Sequence, residues 1–474
     1  MSDYYLALDQ GGHASRAIAF DSEGRQLAKS IIEVATQTPA QDRYEQDPDA
    51  VVASLEQCAR LVTTDLQDHS CLGAGLATQR SSIACWDRQT GQALSPVISW
   101  RDTRNAAALT ELDLDEQRVH ELTGLRISAH YGASKLRWCL DNIAAVQDAL
   151  KKDRLLFGPL ASFLIFRLTG EKTAAADPVN ASRTLLWEPA NRCWSDELVA
   201  LFDLPATALP PSRSENEGFG TLRVCPDIPL LRCTGDQAAA IYARGVPAAD
   251  EIIVNAGTGA FALQSTEWPN DSQGVLTSVV GGERAGLNFA LEGTVNGAGS
   301  ALKAEARKLK ISNWHALLET PDRELSPIPV FLNGHSGLGS PWWVPHFESR
   351  LIGDAGPVER MIAVAESIIF LLQANLDEFV GHAATPRCIV ASGGVSTGDG
   401  FCRRLASLSG LPVYRHRISE ATAQGLAWQI ADLDSQWPAA AQAELFEPQT
   451  CTGLHSRYAH WQELMAAACG SNPV

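Results

Sequence analysis

Apolar and polar residues switch between two periods along this chain, and the first switch comes early. Tyr4 to Asp9 is an apolar run closed by an acid; Gln10, Gly11, Gly12 and His13 interrupt it, and Ala17 to Phe20 resumes it. This predicts strand, glycine turn, strand. Asp21 to Gly24 is a second turn and Gln26 to Val34 a third strand, so a three-strand meander opens the chain. Asp47 and Pro48 supply an N-cap and a first-turn proline, after which Val51, Leu55, Cys58 and Val62 recur at helical spacing. Helical spacing returns over Ser134 to Leu150, carried by Leu136, Leu140, Ile143, Val146 and Leu150, and Pro159 to Leu168 reads as a mostly buried helix. Around Gly235 to Gly245 the pattern changes, and Glu251 to Leu263 (EIIVNAGTGAFAL) repeats the opening design of acid-flanked strand, glycine turn and strand. Two such hairpins, each heading an α/β unit of roughly two hundred residues, predict two similarly built domains.

Composition narrows the class. With 474 residues, 45% of them hydrophobic, the chain can bury more than one core, and domains of roughly 100–200 residues give two to four folding units. Charged residues at 20% among interspersed aliphatics exclude a coiled coil or a disordered chain, and the 37 Gly and 24 Pro show no triplet period. The 38 basic against 55 acidic residues leave a net charge of −17, which repels a polyphosphate backbone. Small molecules are therefore the expected partners, with no nucleic acid. The 11 cysteines are odd in number and contain no C-x-x-C pair, which fits a reducing cytoplasm better than a disulfide scaffold or a zinc site. The opening MSDYYLALD lacks a basic segment followed by an apolar one, so no secretory signal is expected. The longest uncharged apolar run, Leu155 to Phe166, is too short to span a bilayer, so no membrane partner is expected either.

Candidate chemistry gathers at glycine turns. Asp9-Gln10-Gly11-Gly12-His13 reads either as an anion nest with Asp9 facing a metal ion or as a tight hairpin with a capping acid. Asn255 to Ala260 (NAGTGA), Asn296 to Ser300 (NGAGS) and Ser392 to Gly400 (SGGVSTGDG) add three more loops. Four such loops at strand ends suit a nucleotide site divided between two domains. The chain has no G-x-x-x-x-G-K-[ST] loop and no G-x-G-x-x-G after a strand, which removes the main support for a Walker-type ATPase or a dinucleotide enzyme. Gly334-His335-Ser336-Gly337-Leu338 is not a hydrolase elbow, because its second glycine is misplaced. Gly235-Asp236-Gln237 puts an acid at the start of a small-residue helix, either as an N-cap or as a general base.

In order along the chain, ALDQGGHASRAIAFD at Ala7, YEQDPDAV at Tyr44, TQRSSIACWD at Thr78, SWRDTR at Ser99, ASKLRW at Ala133, LTGEKTAAADPVNASRT at Leu168, GDQAAA at Gly235, NAGTGAFAL at Asn255, ALEGTVNGAG at Ala290, GLGSPWWVP at Gly337 and SGGVSTGDGF at Ser392 resemble the FGGY carbohydrate kinases, and most of all the glycerol kinases among them. The resemblance implies an α/β, two-domain, actin-like ATPase (duplicated ribonuclease-H-like) fold with a central ligand cleft. It implies an N-terminal domain over 1–244 carrying the substrate site and phosphate loop, and a nucleotide-binding C-terminal domain over 245–474. The implied reaction is phosphorylation of a hydroxyl of a small polyol or sugar by ATP with Mg2+, in the cytoplasm; the oligomeric state stays open, a homodimer being one possibility. Residue by residue, Asp236 would be the catalytic base and Asp9 the metal-associated acid acting through water. Arg80, Ser81, Trp100, His130, Asp236, Gln237 and Phe261 would meet the substrate. Gly11, Gly12, His13, Ser15, Arg16, Thr258, Gly299, Lys303, Gly394 and Gly398 would meet the nucleotide.

The departures bear on specificity. Glycerol kinases read D-Q-G-T-T-S-S-R where this chain has Asp9 to Arg16, so Gly12 and His13 replace two threonines. Their Arg-Glu becomes Arg80-Ser81, and their polyol-binding Tyr aligns with His130, beside Tyr131. Loss of a diol-gripping carboxylate disfavours glycerol and leaves room for a bulkier polyol or a ketose. A ketopentose kinase (xylulokinase- or ribulokinase-like) is the alternative enzyme. The rival of another class is a catalytically weak sugar- or nucleotide-binding protein, against which the retained Asp9 and Asp236 argue. The sequence also leaves open whether the tail from about Asp434 packs on the first domain or the second.

Overall fold

The computed structural model of the chain describes residues 3–469 apart from 113–114, 171, 215–216, 284–285, 321–327, 417, 419, 432–436 and 438–442. It divides into two compact units: Met1–Pro247 with Ser278–Phe289 and Ser419–Ala441, and Ala248–Thr277 with Ala290–Ile418 and Gln442–Val474. After Pro247 the chain returns twice to the first unit. The helix Ala421–Ala431 shows why it returns, because it packs on the helix Asp236–Ile241 and on the strands Asp3–Gln10 and Ser70–Thr78, with Leu426 and Ile430 buried.

In the first unit a six-stranded sheet has the order Thr221–Leu222, Cys225–Gly235, Ser70–Thr78, Asp3–Gln10, Ala14–Phe20, Gln26–Glu33. The predicted meander is present: Asp3–Gln10 pairs antiparallel with Ala14–Phe20, which pairs antiparallel with Gln26–Glu33. On the other side Asp3–Gln10 runs parallel to Ser70–Thr78, which runs parallel to Cys225–Gly235. The helix Pro48–Asp65 starts as the sequence indicated, with the Asp47 carboxylate accepting from the Asp49 and Ala50 N–H groups. Its Val51, Leu55, Cys58 and Val62 join Leu6, Leu8, Ala17 and Ala19 in one core, each fully buried aliphatic contributing about 1.5–3 kcal/mol. A second, five-stranded sheet has the order Gln37–Ala40, Arg43–Gln46, Val97–Ile98, Ile83–Asp87, Leu155–Pro159. The apolar run from Leu155 thus splits into that last strand and the buried helix Leu160–Leu168.

The helix expected over Ser134 to Leu150 is broken. Gly132–Asn142 and Ala144–Lys151 meet at Ile143, whose backbone is extended (φ −113°, ψ 108°). The Gln147 side-chain amide donates to the carbonyls of Leu140 (2.9 Å) and Asp141 (3.1 Å), satisfying end-of-helix acceptors that a continuous helix would have paired internally.

The second unit repeats the plan. Its sheet includes, in order, Ala260–Thr266, Glu251–Ala256, Cys388–Ser392, Val413–His416 and Ala443–Phe446. Glu251–Ala256 pairs antiparallel with Ala260–Thr266 and parallel with Cys388–Ser392, as Asp3–Gln10 does with its own two neighbours. A parallel third strand, Val413–His416, follows. The core here combines Ile252 and Val254 with Ile368, Ile369 and Leu372 of the long helix Pro357–Phe379.

The tail, much of which lies outside the described residues, goes both ways. Trp437 packs its ring 6.0 Å from that of Phe20 in the first unit. Ala443–Phe446 instead extends the second unit's sheet, and the helix Thr452–Cys469 buries Leu454, Trp461 and Met465 in the second core.

Candidate active site

Register decides which residues can meet. Gln10 and Gly235 both lie opposite Thr78, so the three parallel strands of the first unit end level. The turns that follow them (Gly11 to His13, Gln79 to Ser81, and Asp236) emerge side by side at the carboxyl edge, the usual ligand side of such a sheet.

Asp9, 6% exposed, sits at that edge and receives the Arg16 guanidinium at 3.2 Å. Burial pushes its carboxyl up to about 7, with Arg16 opposing and the negative charges of Asp236 and Glu420 adding to the rise. Arg16 also lies 3.9 Å from Glu420, which pairs with Lys29. Neither Gly11 nor Gly12 adopts a positive φ, and a Cβ on Gly12 would meet nothing within 4 Å, so this turn does not need glycine for its backbone. Its carbonyls face inward: Gly11 O accepts from Gln10 Nε2 (2.8 Å), and Gly12 O from Gln46 Nε2 (3.0 Å) and Thr36 Oγ1 (3.1 Å). His13 lies exposed at the tip, with its own carbonyl taken by the Val34 N–H at 2.9 Å. Ser15 requires a correction. Its side chain is fully buried and receives the Ser54 hydroxyl at 2.8 Å, so it packs the hairpin against the helix Pro48–Asp65 and is not exposed at the turn's surface.

Arg80 is buried and donates to the Gln237 side-chain oxygen. Ser81 has a left-handed backbone (φ 62°), is 4% exposed, and its Oγ has no hydrogen-bond partner among the described residues. Trp100 is 40% exposed while Trp86 and Trp187 are fully buried, which separates it from the packing tryptophans. The Trp100 ring meets His130 edge-on at 5.7 Å, and His130 meets Tyr131 at 5.2 Å.

Asp236 is not an N-cap. Gly235 occupies that position, and Asp236 is the first residue of the helix Asp236–Ile241, its Oδ1 accepting from the Gln237 N–H at 2.7 Å. Its carbonyl accepts from Thr422 Oγ1 at 3.2 Å, which ties it to the returning helix.

In the second unit three glycine turns converge. The Gly299 N–H donates to the Gly257 carbonyl (2.9 Å), those of Ala298 and Ser300 to the Thr258 carbonyl (3.1 Å each), and that of Val395 to the Ala256 carbonyl (2.8 Å). Close approach is the reason for glycine at two of these sites: a Cβ would lie 2.5 Å from Gly257 O at Gly299 and 2.6 Å from Ala256 O at Gly393, where φ is +91°. Thr258 and Gly394 are exposed at the tips, Lys303 is exposed one turn into the helix Gly299–Leu309, and Gly398 caps the helix Asp399–Ser409. Phe261 lies on this unit's second hairpin strand, opposite Asn255.

Two family models match this chain in tandem: the N-terminal domain of the FGGY family of carbohydrate kinases over residues 4–242, and the C-terminal domain over 252–431. The chain belongs to the FGGY family. Relatives of this FGGY kinase include a glycerol kinase from Alcanivorax borkumensis, 30% identical over 98% of each chain, and one from Allorhizobium ampelinum, 32% identical over 92% of each. Solved structures that resemble it include Plasmodium falciparum glycerol kinase with ADP (TM-score 0.89, 22% identity, 98% of each chain) and the xylulose kinase from Rhodospirillum rubrum (0.86, 18%, 98% of each). These likenesses show the ribonuclease-H-like, actin-like ATPase fold. The protein is a phosphotransferase with an alcohol group as acceptor and ATP as phosphoryl donor. Among the described residues no helix is long and apolar enough to cross a membrane.

In this FGGY kinase, residues outside the predicted set hold the site together. Gln79 Nε2 donates to Gln46 Oε1 (2.8 Å) and Gln10 Oε1 (3.0 Å), while Gln79 Oε1 accepts from Ser82 Oγ (2.9 Å), which itself accepts from the Trp100 N–H (2.9 Å). Three buried amides and a hydroxyl therefore link the Gly12 turn to Trp100. Lys135, fully buried, is also absent from that set. The available signal was a glutamine or lysine inside each of the motifs YEQDPDAV, TQRSSIACWD and ASKLRW; Gln79 and Lys135 are flanked by residues that are themselves buried, Gln46 is not.

Proposed function

We propose that this kinase transfers the γ-phosphoryl group of Mg-ATP to a hydroxyl of a polyol or sugar longer than glycerol, with Asp236 as general base. The observation that carries the reading is the pair of acids: Asp236 is close enough to raise the proton affinity of Asp9, at the level edge of three parallel strands. Asp236 is oriented by its Gln237 N–H contact, and Gln237 by Arg80. A carboxylate held this way takes the proton of the attacking hydroxyl as the oxygen moves in line with the γ-phosphorus. With the Gly11 N–H taken by the Ala14 carbonyl at 2.9 Å, the Gly12 and His13 N–H groups are those that would meet phosphate oxygens.

A magnesium ion suits this donor set, because Mg2+ is commonly held by one or two carboxylates together with substrate phosphates and water, and Asp9 with Asp236 concentrates negative charge at one point. Asp9 would hold it through water, and bound there it would neutralise charge on the phosphates. In the second unit, Thr258, Gly299, Lys303, Gly394 and Gly398 would hold the nucleotide. Eleven unbridged cysteines support a reducing cytoplasm as its setting.

The buried, unpartnered Ser81 hydroxyl supports an acceptor with a further hydroxyl, and the exposed Trp100 face supports contact with a longer carbon chain. A ketopentose meets both conditions and is the second reading. The experiment is an ATP-consumption screen over glycerol, longer polyols, pentoses and ketoses. A longer acceptor with kcat/KM at least about tenfold above glycerol is expected; glycerol as the best acceptor would overturn the specificity reading and leave the kinase assignment standing.

A further inference from the structure

Lys135 lies fully buried on the helix Gly132–Asn142, and its Nζ donates to three carbonyls: His130 at 2.7 Å, Ser99 at 3.0 Å and Ser81 at 3.3 Å. An ammonium has three N–H donors, and here three separate stretches of backbone take them. Those stretches carry Ser81, Trp100 and His130, the residues assigned above to the acceptor pocket.

We propose that Lys135 is a positioning residue of the acceptor site, setting the spacing of Ser81, Trp100 and His130 and through it the size of acceptor that the kinase takes. The proposal rests on the acceptor-site reading above. A buried ammonium is expensive to desolvate, and burial lowers its proton affinity to about 7, so simple packing would be served better by leucine or methionine. The clamp also meets strain: Ser81 holds a left-handed backbone, its carbonyl turned to Lys135 while its hydroxyl stays unpartnered. The aromatic wall is fixed from both ends, because the carbonyl just before Trp100 and that of His130 itself bind the same nitrogen while their rings meet at 5.7 Å. A change at Nζ therefore moves the wall and the Ser81 corner together, whereas the Gly11 to His13 turn is held directly by Gln10, Gln46 and Thr36 and is joined to the wall only at the Trp100 N–H, by way of Gln79 and Ser82.

The test compares Lys135→Met, Lys135→Gln and Trp100→Ala in the full chain, measuring KM and kcat for ATP and for a series of acceptors of increasing length. Lys135→Met is expected to raise acceptor KM about tenfold or more, leave KM for ATP within about twofold, and flatten discrimination by acceptor length. Lys135→Gln keeps two donors and is expected to recover part of the acceptor affinity; it decides the matter if the methionine variant does not fold. An unchanged length profile, or equal rises in both KM values, would overturn the proposal while Trp100→Ala still weakens acceptor binding. Were Trp100→Ala itself to leave acceptor KM unchanged, the acceptor-site reading would fall first, and this proposal with it.

Discussion

Gln46 donates to the Gly12 carbonyl at 3.0 Å across 34 residues of chain, and its own oxygen receives the Gln79 amide at 2.8 Å. The Gly11 to His13 turn is thus held from beneath by side chains, where glycerol kinases place threonines in the turn itself. Removing Gln46 leaves the Gly12 carbonyl held by Thr36 Oγ1 alone and strands one Gln79 donor. Gln46→Leu is expected to cost about 1–3 kcal/mol of stability and to raise KM for ATP several-fold while acceptor KM stays near wild type. Thermal melts and two-substrate kinetics check both parts; a larger effect on acceptor KM than on ATP would show that the relay serves the other side.

Asp236→Asn preserves shape and the contact from the Gln237 N–H but cannot take the acceptor proton. Turnover is expected to fall on the order of a hundredfold or more, with nucleotide affinity by titration nearly unchanged. Turnover within a few-fold of wild type would remove Asp236 from the base role.

Ser81 combines a left-handed backbone with a buried hydroxyl that has no partner among the described residues. Glycine accepts that backbone without strain, so Ser81→Gly is expected to stabilise the protein by about 0.5–1 kcal/mol while raising acceptor KM, because the hydroxyl proposed to meet the substrate is gone. A higher Tm with unchanged acceptor kinetics would leave Ser81 structural.

Burial pulls Lys135 down from its ordinary 10.5 to about 7, with Asp102 opposing and Arg104 adding. Among the described residues Asp102 and Arg104 are the charged groups that act on it, with the His130 ring on a segment that Lys135 clamps, Arg80 beside Ser81 and Arg183 over the Tyr131 ring. Between about 7 and about 10.5 the unfolded chain binds the proton that the folded chain releases, so this residue's contribution to stability grows as pH rises through that window. The Tm of wild type minus that of Lys135→Met is therefore expected to increase from about pH 6.5 to about pH 9. Over the same interval acceptor KM is expected to rise, because the neutral amine keeps two donors for three carbonyls. A flat Tm difference would mean that Lys135 does not titrate there.

Hairpin periodicity, the Asp47-Pro48 helix start, the doubled plan, the glycine turn after Asp9 and the acid that opens the helix at Asp236 were legible in the order of residues, whereas Arg80 entered only through the family resemblance. Each of the former is written in local backbone preference or in apolar spacing over a few residues, and these act before any distant contact forms. The fold decided what such signals do not carry. Ser15 alternates inward against Ser54, although it belongs to the turn motif. Gln147 turns back on the carbonyls of Leu140 and Asp141 and ends a helix that periodicity alone continues through Ile143. Gln10, Gln46 and Gln79 become one network, and Lys135 a clamp on three segments, only once strands far apart in sequence are set in register. A glutamine or lysine has the same local propensity whether it faces water or three buried carbonyls, and only packing selects between those outcomes.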